Sequence, residues 1–428
     1  CDFMKCTVLT LGCKVNTYES EYIKEKFKEN NYEIVDLYNK PDVIVINTCT
    51  VTNQSDSKSR KMIRLAKKTN PNSIIVVCGC ASENHKENII DTDIDILIGN
   101  YYKSKIVDLV NQFKQDNKKI NTFVDMTKVD FEDMKINYFQ NQTRAFVKIQ
   151  DGCNNFCSYC IIPYMRGSIR SKHIDVAYEE IKSLVENGYQ EIVLTGIHTG
   201  SYGTGENFDL VDLIRKISTL DNLKRIRISS IEITELNDKF MNELQNNPKI
   251  VNHLHVPIQS GCNRILSLMN RKYQTSYFME KINRIRNIRP DMNFTTDLIV
   301  GFPTETEDDF NETIETLKTI KFSKIHTFPY SIRDNTPAAL MEQVNDIIKK
   351  SRVHKILELS DELENIYYNK YLNKYVEVLI EEIKEDYSIG HTDNFIKIII
   401  NEKLTPNTFY KVKITSIVNK EVKGIIET

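Results

Sequence analysis

Cys153, Cys157 and Cys160 are the residues of this 428-residue chain whose spacing most directly implies chemistry. The segment reads Asp151-Gly152-Cys153-Asn154-Asn155-Phe156-Cys157-Ser158-Tyr159-Cys160, a C-x3-C-x2-C spacing just after a β-like run. Thiolates on one short loop can hold three irons of a cubane, whereas a fully protein-ligated [4Fe–4S] cluster takes four. The fourth iron is then open, by the logic that keeps a position free on a catalytic metal. An open iron can chelate an amine and a carboxylate such as those of S-adenosylmethionine. A zinc site would call for two C-x2-C pairs or histidines at fixed spacing, and neither occurs.

Three further cysteines each follow an apolar run. They are Cys13 in Leu11-Gly12-Cys13-Lys14-Val15-Asn16, Cys49 in Asn47-Thr48-Cys49, and Cys80 in Cys78-Gly79-Cys80. Loops after the strands of a parallel sheet emerge on one edge, where such folds place ligands. The three are therefore expected to converge on a second cluster, with packing as small hydrophobes as the competing fate. Other expected strand ends carry Thr195-Gly196, Glu232, Gln259, Asp297 and Gly301. Gly196 would admit a methionine amine close to the backbone. Glu232, Gln259 and Asp297 would bond ribose hydroxyls or that amine, with helix capping as the alternative for each. Arg166 and Arg170 could grip a carboxylate or phosphate through a bidentate fork.

The chain must supply an α/β frame for these groups. Residues 4–116 alternate β-like runs (5–11, 42–47, 73–78, 94–98) with helix-like stretches (17–30, 54–69, 83–90, 102–114), the pattern of a parallel sheet covered on both faces. Residues 117–142 are polar without an apolar period and read as a linker. A second alternation places strands at 144–149, 191–194, 225–229, 253–256, 294–300 and 324–329. Six βα units are too few for an eight-fold barrel and suit a partial one. A charged helical stretch at 338–370 precedes strands at 375–383, 386–390, 395–400, 409–418 and 421–427, a small β-barrel or sandwich. The expected units are 1–116, a linker at 117–142, 143–370 and 371–428.

No window is apolar enough to span a membrane and no secretory leader is visible, so the protein is expected in the cytoplasm, without membrane partners. There, clustered cysteines indicate metal binding or catalysis rather than disulfides. A net charge of −2 gives no global pull toward nucleic acid, so any RNA contact must be local. One candidate is the stretch after Cys49, with Lys58, Arg60, Lys61, Arg64, Lys67 and Lys68 against Asp56. Residues 371–428 hold eight Lys against nine Asp or Glu, leaving one face with Tyr410, Lys411, Lys413, Lys420 and Lys423.

The Cys153 loop, with aromatic Tyr159 before its last cysteine, resembles the cluster loop of radical S-adenosylmethionine enzymes. The resemblance implies a partial (βα)6 barrel and one-electron cleavage of S-adenosylmethionine to methionine and a deoxyadenosyl radical. The Leu-Gly-Cys-Lys-Val-Asn and Asn-Thr-Cys-Thr-Val-Thr segments, Gly79-Cys80 and the Cys153 loop together resemble the methylthiotransferase family, from about residue 4 to 428. That likeness implies a second [4Fe–4S] cluster on Cys13, Cys49 and Cys80, where one S-adenosylmethionine methylates the sulfur to be transferred. A second would give the radical. It also implies a C-terminal TRAM RNA-binding barrel, the tRNA anticodon stem-loop as partner, and an electron donor of flavodoxin or ferredoxin type; the sulfur donor stays open. Cys1, Cys6, Cys78 and Cys262 match no ligand position, and Cys6 and Cys78 read as core. Lys14-Val15-Asn16, Thr50-Val51-Thr52-Asn53 and Ser55–Arg60 are most similar to the branch that acts at C2 of threonylcarbamoyladenosine 37. Isopentenyladenosine in tRNA and a ribosomal-protein aspartate are the alternatives within the family. Outside it stands a non-catalytic RNA-binding redox sensor, which has no need of an open iron.

Overall fold

The computed structural model describes residues 3–86, 94–139 and 142–427; Cys1 and the last part of the expected 83–90 helix lie outside them. The first sheet is parallel, in the order Tyr32–Ile34, Met4–Thr10, Val43–Thr48, Ile74–Gly79, Ile96–Ile98, Ile120–Thr122. Side chains alternate faces along a strand. Val43, Val45 and Val76 thus join a core with Tyr18, Phe27 and Val110, while Ile44, Ile46, Ile75 and Val77 join one with Ile63 and Ala66 of helix Asn53–Thr69. All seven strand residues are fully buried, which is why these runs read as continuously apolar.

Strand order reverses beside Met4–Thr10: its sequence successor Tyr32–Ile34 lies on one side, and Val43–Thr48 with all later strands on the other. The crevice beyond such a switch point is where open α/β sheets bind ligands. Cys13 and Cys49 follow the two strands that flank it.

Residues 117–142 are not a free linker. Ile120–Thr122 forms the edge strand, and Met126, Met134, Ile136 and Phe139 are buried. Their backbone is tied down by Tyr18 Oη to the Met134 carbonyl at 2.6 Å and by the Ile136 amide to Glu180 at 3.0 Å. The apolar residues recur at neither 2 nor 3.6, because this strap is extended and irregular, so periodicity could not reveal it.

The six expected barrel strands are Arg144–Lys148, Glu191–Thr195, Arg225–Ile228, His253–His255, Asn293–Val300 and Lys324–Pro329. Parallel pairing joins them in chain order as two three-stranded sheets linked through Ile226 and Ile250, an open arc of βα units. Helix Asp346–Asn369 packs on the last strand: Ser360 Oγ meets the Ile325 amide at 3.0 Å. The five C-terminal strands, Tyr375–Ile383, Ser388–Thr392, Lys397–Ile400, Phe409–Val418 and Glu421–Ile426, close into a barrel.

The small barrel seals the N-terminal ends of the large one. Phe395 stacks between His253 and His391, with ring centroids 5.2 and 4.8 Å away, under the guanidinium groups of Arg144 and Arg227. Arg144 also pairs with Glu381 at 3.0 Å, and Asn252 bonds Asp393 at 2.8 Å. Replacing half-buried Phe395 with Ala is expected to cost about 2 kcal/mol, less than the 3–5 of a fully buried phenylalanine. Calorimetry should show a lower melting midpoint, with hydrogen exchange rising first in residues 388–400.

Candidate active site

The Cys153 loop is fixed by neighbours distant in sequence. The Cys153 amide donates to the Gly167 carbonyl at 3.0 Å, and Ser158 donates through N and Oγ to Met269 and Leu268. Phe156 adopts a left-handed φ of 46°, and its carbonyl accepts from Asn270 Nδ2 at 3.0 Å. Burial, then the Cys157 sulfur beside it, pushes the Cys160 thiol up to about 12. Such thiols become thiolates when a metal takes them. Arg271 supplies positive charge: its Nη1 lies 3.5 Å from Cys157 Sγ, and Glu232 and the Tyr273 hydroxyl hold the guanidinium. A cavity of about 320 Å³ opens over the three cysteines and is also lined by Tyr159, Glu232, Gln259 and Asp297. Among the described residues no three His, Cys, Asp or Glu are set to share one metal ion. A cubane takes its thiolates on separate irons and spaces them more widely. Three thiols on one loop, a buried cation at their flank and an open wall fit that group.

Cys13, Cys49 and Cys80 gather at the switch point of the first sheet. Cys13 is the N-cap of helix Lys14–Glu29, where the helix dipole favours a thiolate. Cys49 ends Val43–Thr48, held by Ser59 Oγ donating to its carbonyl at 3.0 Å. Gly12, at φ 104°, lets the first loop pass under Cys49: a Cβ there would lie 2.8 Å from Cys49 Cβ. Cys80 opens a short helix and lies 3.3 Å from Arg166 Nε and 3.5 Å from Asn100 Nδ2. Burial raises the thiols of Cys13 and Cys49. Arg166 lowers that of Cys13, and each of the two thiols is also biased by Cys80, so the three sulfurs share one electrostatic neighbourhood. Cys6 and Cys78 are buried core, and Cys78 faces neither cavity.

Arg166 and Arg170 are not free forks, although Arg166 borders the larger cavity beside Cys80. Arg166 is fully buried, bonded to Glu19 at 3.0 Å, Asp151 at 3.2 Å and Asn16 at 2.7 Å. Arg170 donates to the carbonyls of Met126, Arg166 and Ser168. Both are consumed in internal bonds because the chain after the cysteine loop turns back under the first sheet. Glu19 also bonds Lys103 and Lys148, each at 2.8 Å. Burial alone would raise its carboxyl; Arg166, Lys103 and Lys148 together hold it well below the usual range.

A second cavity, about 960 Å³, runs from Cys13, Cys49 and Cys80 to Phe395 at the floor. Thr195 and Gly196 line this one, away from Cys153, Cys157 and Cys160. Gly196 is small because of Gln150, whose Oε1 would stand 2.7 Å from a Cβ there, and that oxygen accepts from the His198 amide. Asp297, Val51, Ile162, Ile197 and Phe328 line both cavities, so the cavities at the two cysteine triads adjoin across a shared wall. Phe328 is 44% exposed there, and Asp297 pairs with His255 at 3.3 Å. Sequence reading missed Arg271, His255 and Phe328, whose positions become special only when distant segments meet.

The Cys49 loop is clamped to the barrel by Arg333, which bonds Asp56 at 2.7 Å, Thr50 at 2.8 Å and Asn53 at 2.8 Å. Arg333 is 4% exposed, so Arg333→Met should cost about 3 kcal/mol by stranding Asp56. Limited proteolysis should then cut residues 49–56 faster than in the parent.

Two candidate RNA faces differ. On helix Asn53–Thr69, Lys58, Arg60, Lys61, Arg64 and Lys68 are exposed, and its start lies at the cavity mouth through Val51 and Thr52. On the C-terminal barrel, Lys411, Lys420 and Lys423 pair with Glu427, Asp361 and Glu421, and Lys413 lies 5.9 Å from the Tyr375 ring centre. Neutralised pairs make a poor phosphate track.

Comparison with known proteins matches this layout. Residues 147–317 fit the Radical SAM superfamily, and residues 5–99 fit the Uncharacterized protein family UPF0004. The chain is 43% identical over 400 residues to the threonylcarbamoyladenosine tRNA methylthiotransferase MtaB of Bacillus subtilis (strain 168), covering 91% of this chain and 89% of that protein. It is 36% identical to the tRNA-2-methylthio-N(6)-dimethylallyladenosine synthase of Clostridium tetani (strain Massachusetts / E88), covering 82% and 79%. The radical S-adenosylmethionine methyltransferase TsrM of Kitasatospora setae shares the fold, with a TM-score of 0.57 at 12% identity, covering 79% of this chain and 77% of that one. The two family matches span both cysteine triads, and the chain belongs to the radical S-adenosylmethionine methylthiotransferase family, in its threonylcarbamoyladenosine tRNA branch.

Proposed function

We propose that this chain adds a methylthio group to C2 of threonylcarbamoyladenosine at position 37, beside the anticodon of tRNA. The observation that carries this reading is the adjoining of the cavities at the two cysteine triads along a wall that includes Asp297 and Phe328, in a chain more similar to the threonylcarbamoyladenosine enzyme than to the dimethylallyladenosine one. Cys153, Cys157 and Cys160 hold one [4Fe–4S] cluster, and Cys13, Cys49 and Cys80 a second. When bound, the first supplies the electron that cleaves S-adenosylmethionine, and the second presents the sulfur.

The chain's own groups do the rest. Glu232, Gln259 and Asp297, beside Tyr159, bind the S-adenosylmethionine polar groups in the smaller cavity, and Arg271 keeps Glu232 oriented. Phe328 offers a ring face to the purine, a stack worth about 1–3 kcal/mol. The exposed cations of helix Asn53–Thr69 take backbone phosphates at the mouth. The base must leave the anticodon stack to enter, as for other enzymes that act on a base edge. Electrons come from a flavodoxin- or ferredoxin-type donor. Among the described residues no helix is long and apolar enough to cross a membrane; the tRNA-modifying role is what assigns the protein to the cytoplasm.

The test is nucleoside mass spectrometry after anaerobic incubation of the reconstituted protein with reductant, sulfide, S-adenosylmethionine and tRNA bearing threonylcarbamoyladenosine. A methylthio product on that nucleoside is expected. Product only with isopentenyladenosine tRNA would overturn the substrate, and no 5′-deoxyadenosine with either would favour the redox-sensor reading.

A further inference from the structure

Lys14 is an unused cation inside the larger cavity. It follows Cys13 directly, lines the same space as Asp297 and Phe328, and has no hydrogen-bond or ion-pair partner among the described residues. Its neighbours do not supply one. Arg144 and Arg227, whose charges reach Lys14, are already paired with Glu381 and Glu191. Asp297, the nearby carboxylate, pairs with His255. Arg227 is 2% exposed and keeps its Nη1 without a hydrogen-bond partner. Arg144 and Arg227 are each matched by a carboxylate, and the wall carboxylates Asp297 and Glu364 by His255 and Lys324, which leaves Lys14 as a cation on the wall of a cavity of about 960 Å³ with no anionic partner among the described residues.

Purine geometry says where an anionic arm would lie. C2 and C6 both flank N1, so a substituent on N6 projects from the same edge as the C2 hydrogen. If C2 is turned toward Cys13, Cys49 and Cys80, the arm on N6 lies beside those sulfurs, and Lys14 is the residue next to Cys13. A tRNA phosphate is the less suitable anion. The phosphates stay on the rim, where helix Asn53–Thr69 offers exposed cations, while Lys14 lines the cavity next to Cys13.

Resting on the proposed substrate, we infer that Lys14 binds the threonyl carboxylate of the modified adenosine and so selects an acidic N6 arm over an apolar one. Lys14 touches substrate without entering the sulfur or radical chemistry. A charge-assisted hydrogen bond of this kind accounts for about a tenfold preference.

The test is equilibrium binding of the full, anaerobically reconstituted chain, without S-adenosylmethionine, to three fluorescent anticodon stem-loops. Position 37 carries threonylcarbamoyladenosine, its methyl ester, or plain adenosine. The parent should bind the acid about tenfold more tightly than the ester. Lys14→Gln should bring the acid down to the affinity of the ester, with ester binding unchanged, and Lys14→Arg should keep most of the preference. Unchanged ester binding also shows that the variant is folded. A Lys14→Gln protein that still prefers the acid overturns the role of Lys14. A parent that binds acid, ester and plain adenosine alike overturns the substrate reading itself.

Discussion

A Cys157→Ala protein is expected to make no 5′-deoxyadenosine above background, a loss of at least about 10³-fold, or about 4 kcal/mol in the barrier. Cys157 is the middle ligand of the loop and the sulfur that Arg271 approaches at 3.5 Å. With one of three thiolates gone, two ligands must hold the whole cluster, and Arg271 and Glu232 lose the anion they surround. The rest of the molecule has no reason to follow. Cys13, Cys49 and Cys80 are positioned by the first sheet, and their contacts run to Asn16, Asn100, Ser59 and Arg166 rather than to Cys157. Iron should therefore fall from about eight to about four per chain, with one cluster signal left by electron paramagnetic resonance. Cleavage of S-adenosylmethionine by this variant would sink the assignment of the two triads; loss of all iron would mean they are not independent.

The two triads were legible in sequence for different reasons. Cys153, Cys157 and Cys160 lie within eight residues, so spacing alone declares them. Cys13, Cys49 and Cys80 were legible through topology, because each ends an apolar run and parallel strands release their loops on one edge. Thr195 and Gly196 also end a strand, and they line the larger cavity. Their strand lies second in the arc, and the residues that follow, Ile197 and His198, line the cavity over the Cys153 loop. Arg166 looked like an anion grip because sequence shows a charge but not its burial. Its partner Glu19 is 147 residues away, and no local pattern links them. The packed strap at 126–139 escaped because irregular backbone has no period to read. The Lys residues of the C-terminal barrel were visible as charges, while their acidic partners were not.

Arg166→Met should unsettle the triad of Cys13, Cys49 and Cys80 without touching a ligand. Five side chains meet there from both domains: Arg166, Lys103 and Lys148 as cations, Glu19 and Asp151 as anions, all at most 4% exposed. The five sum to one positive charge, and Arg166 Nε directs it at Cys80 Sγ. Removing the guanidinium leaves Glu19 and Asp151 with the two lysines and Arg170, which lies 3.7 Å from Asp151, and losing one partner of a buried pair costs about 3–5 kcal/mol. The melting midpoint of the metal-free protein should fall accordingly. A second effect is specific to Cys80. A hydrogen bond to a ligating sulfur stabilises the more negative, reduced form, so its loss should make the potential of the Cys80 cluster more negative. Arg166→Lys separates the two effects: it keeps the charge and most of the stability, but its ammonium cannot serve Glu19, Asp151, Asn16 and Cys80 together as the planar fork does. Potentiometry should therefore place both variants below the parent, while calorimetry places only Arg166→Met well below it. Equal potentials in all three proteins would reduce Arg166 to a structural bridge between domains, with no hold on the chemistry at Cys80.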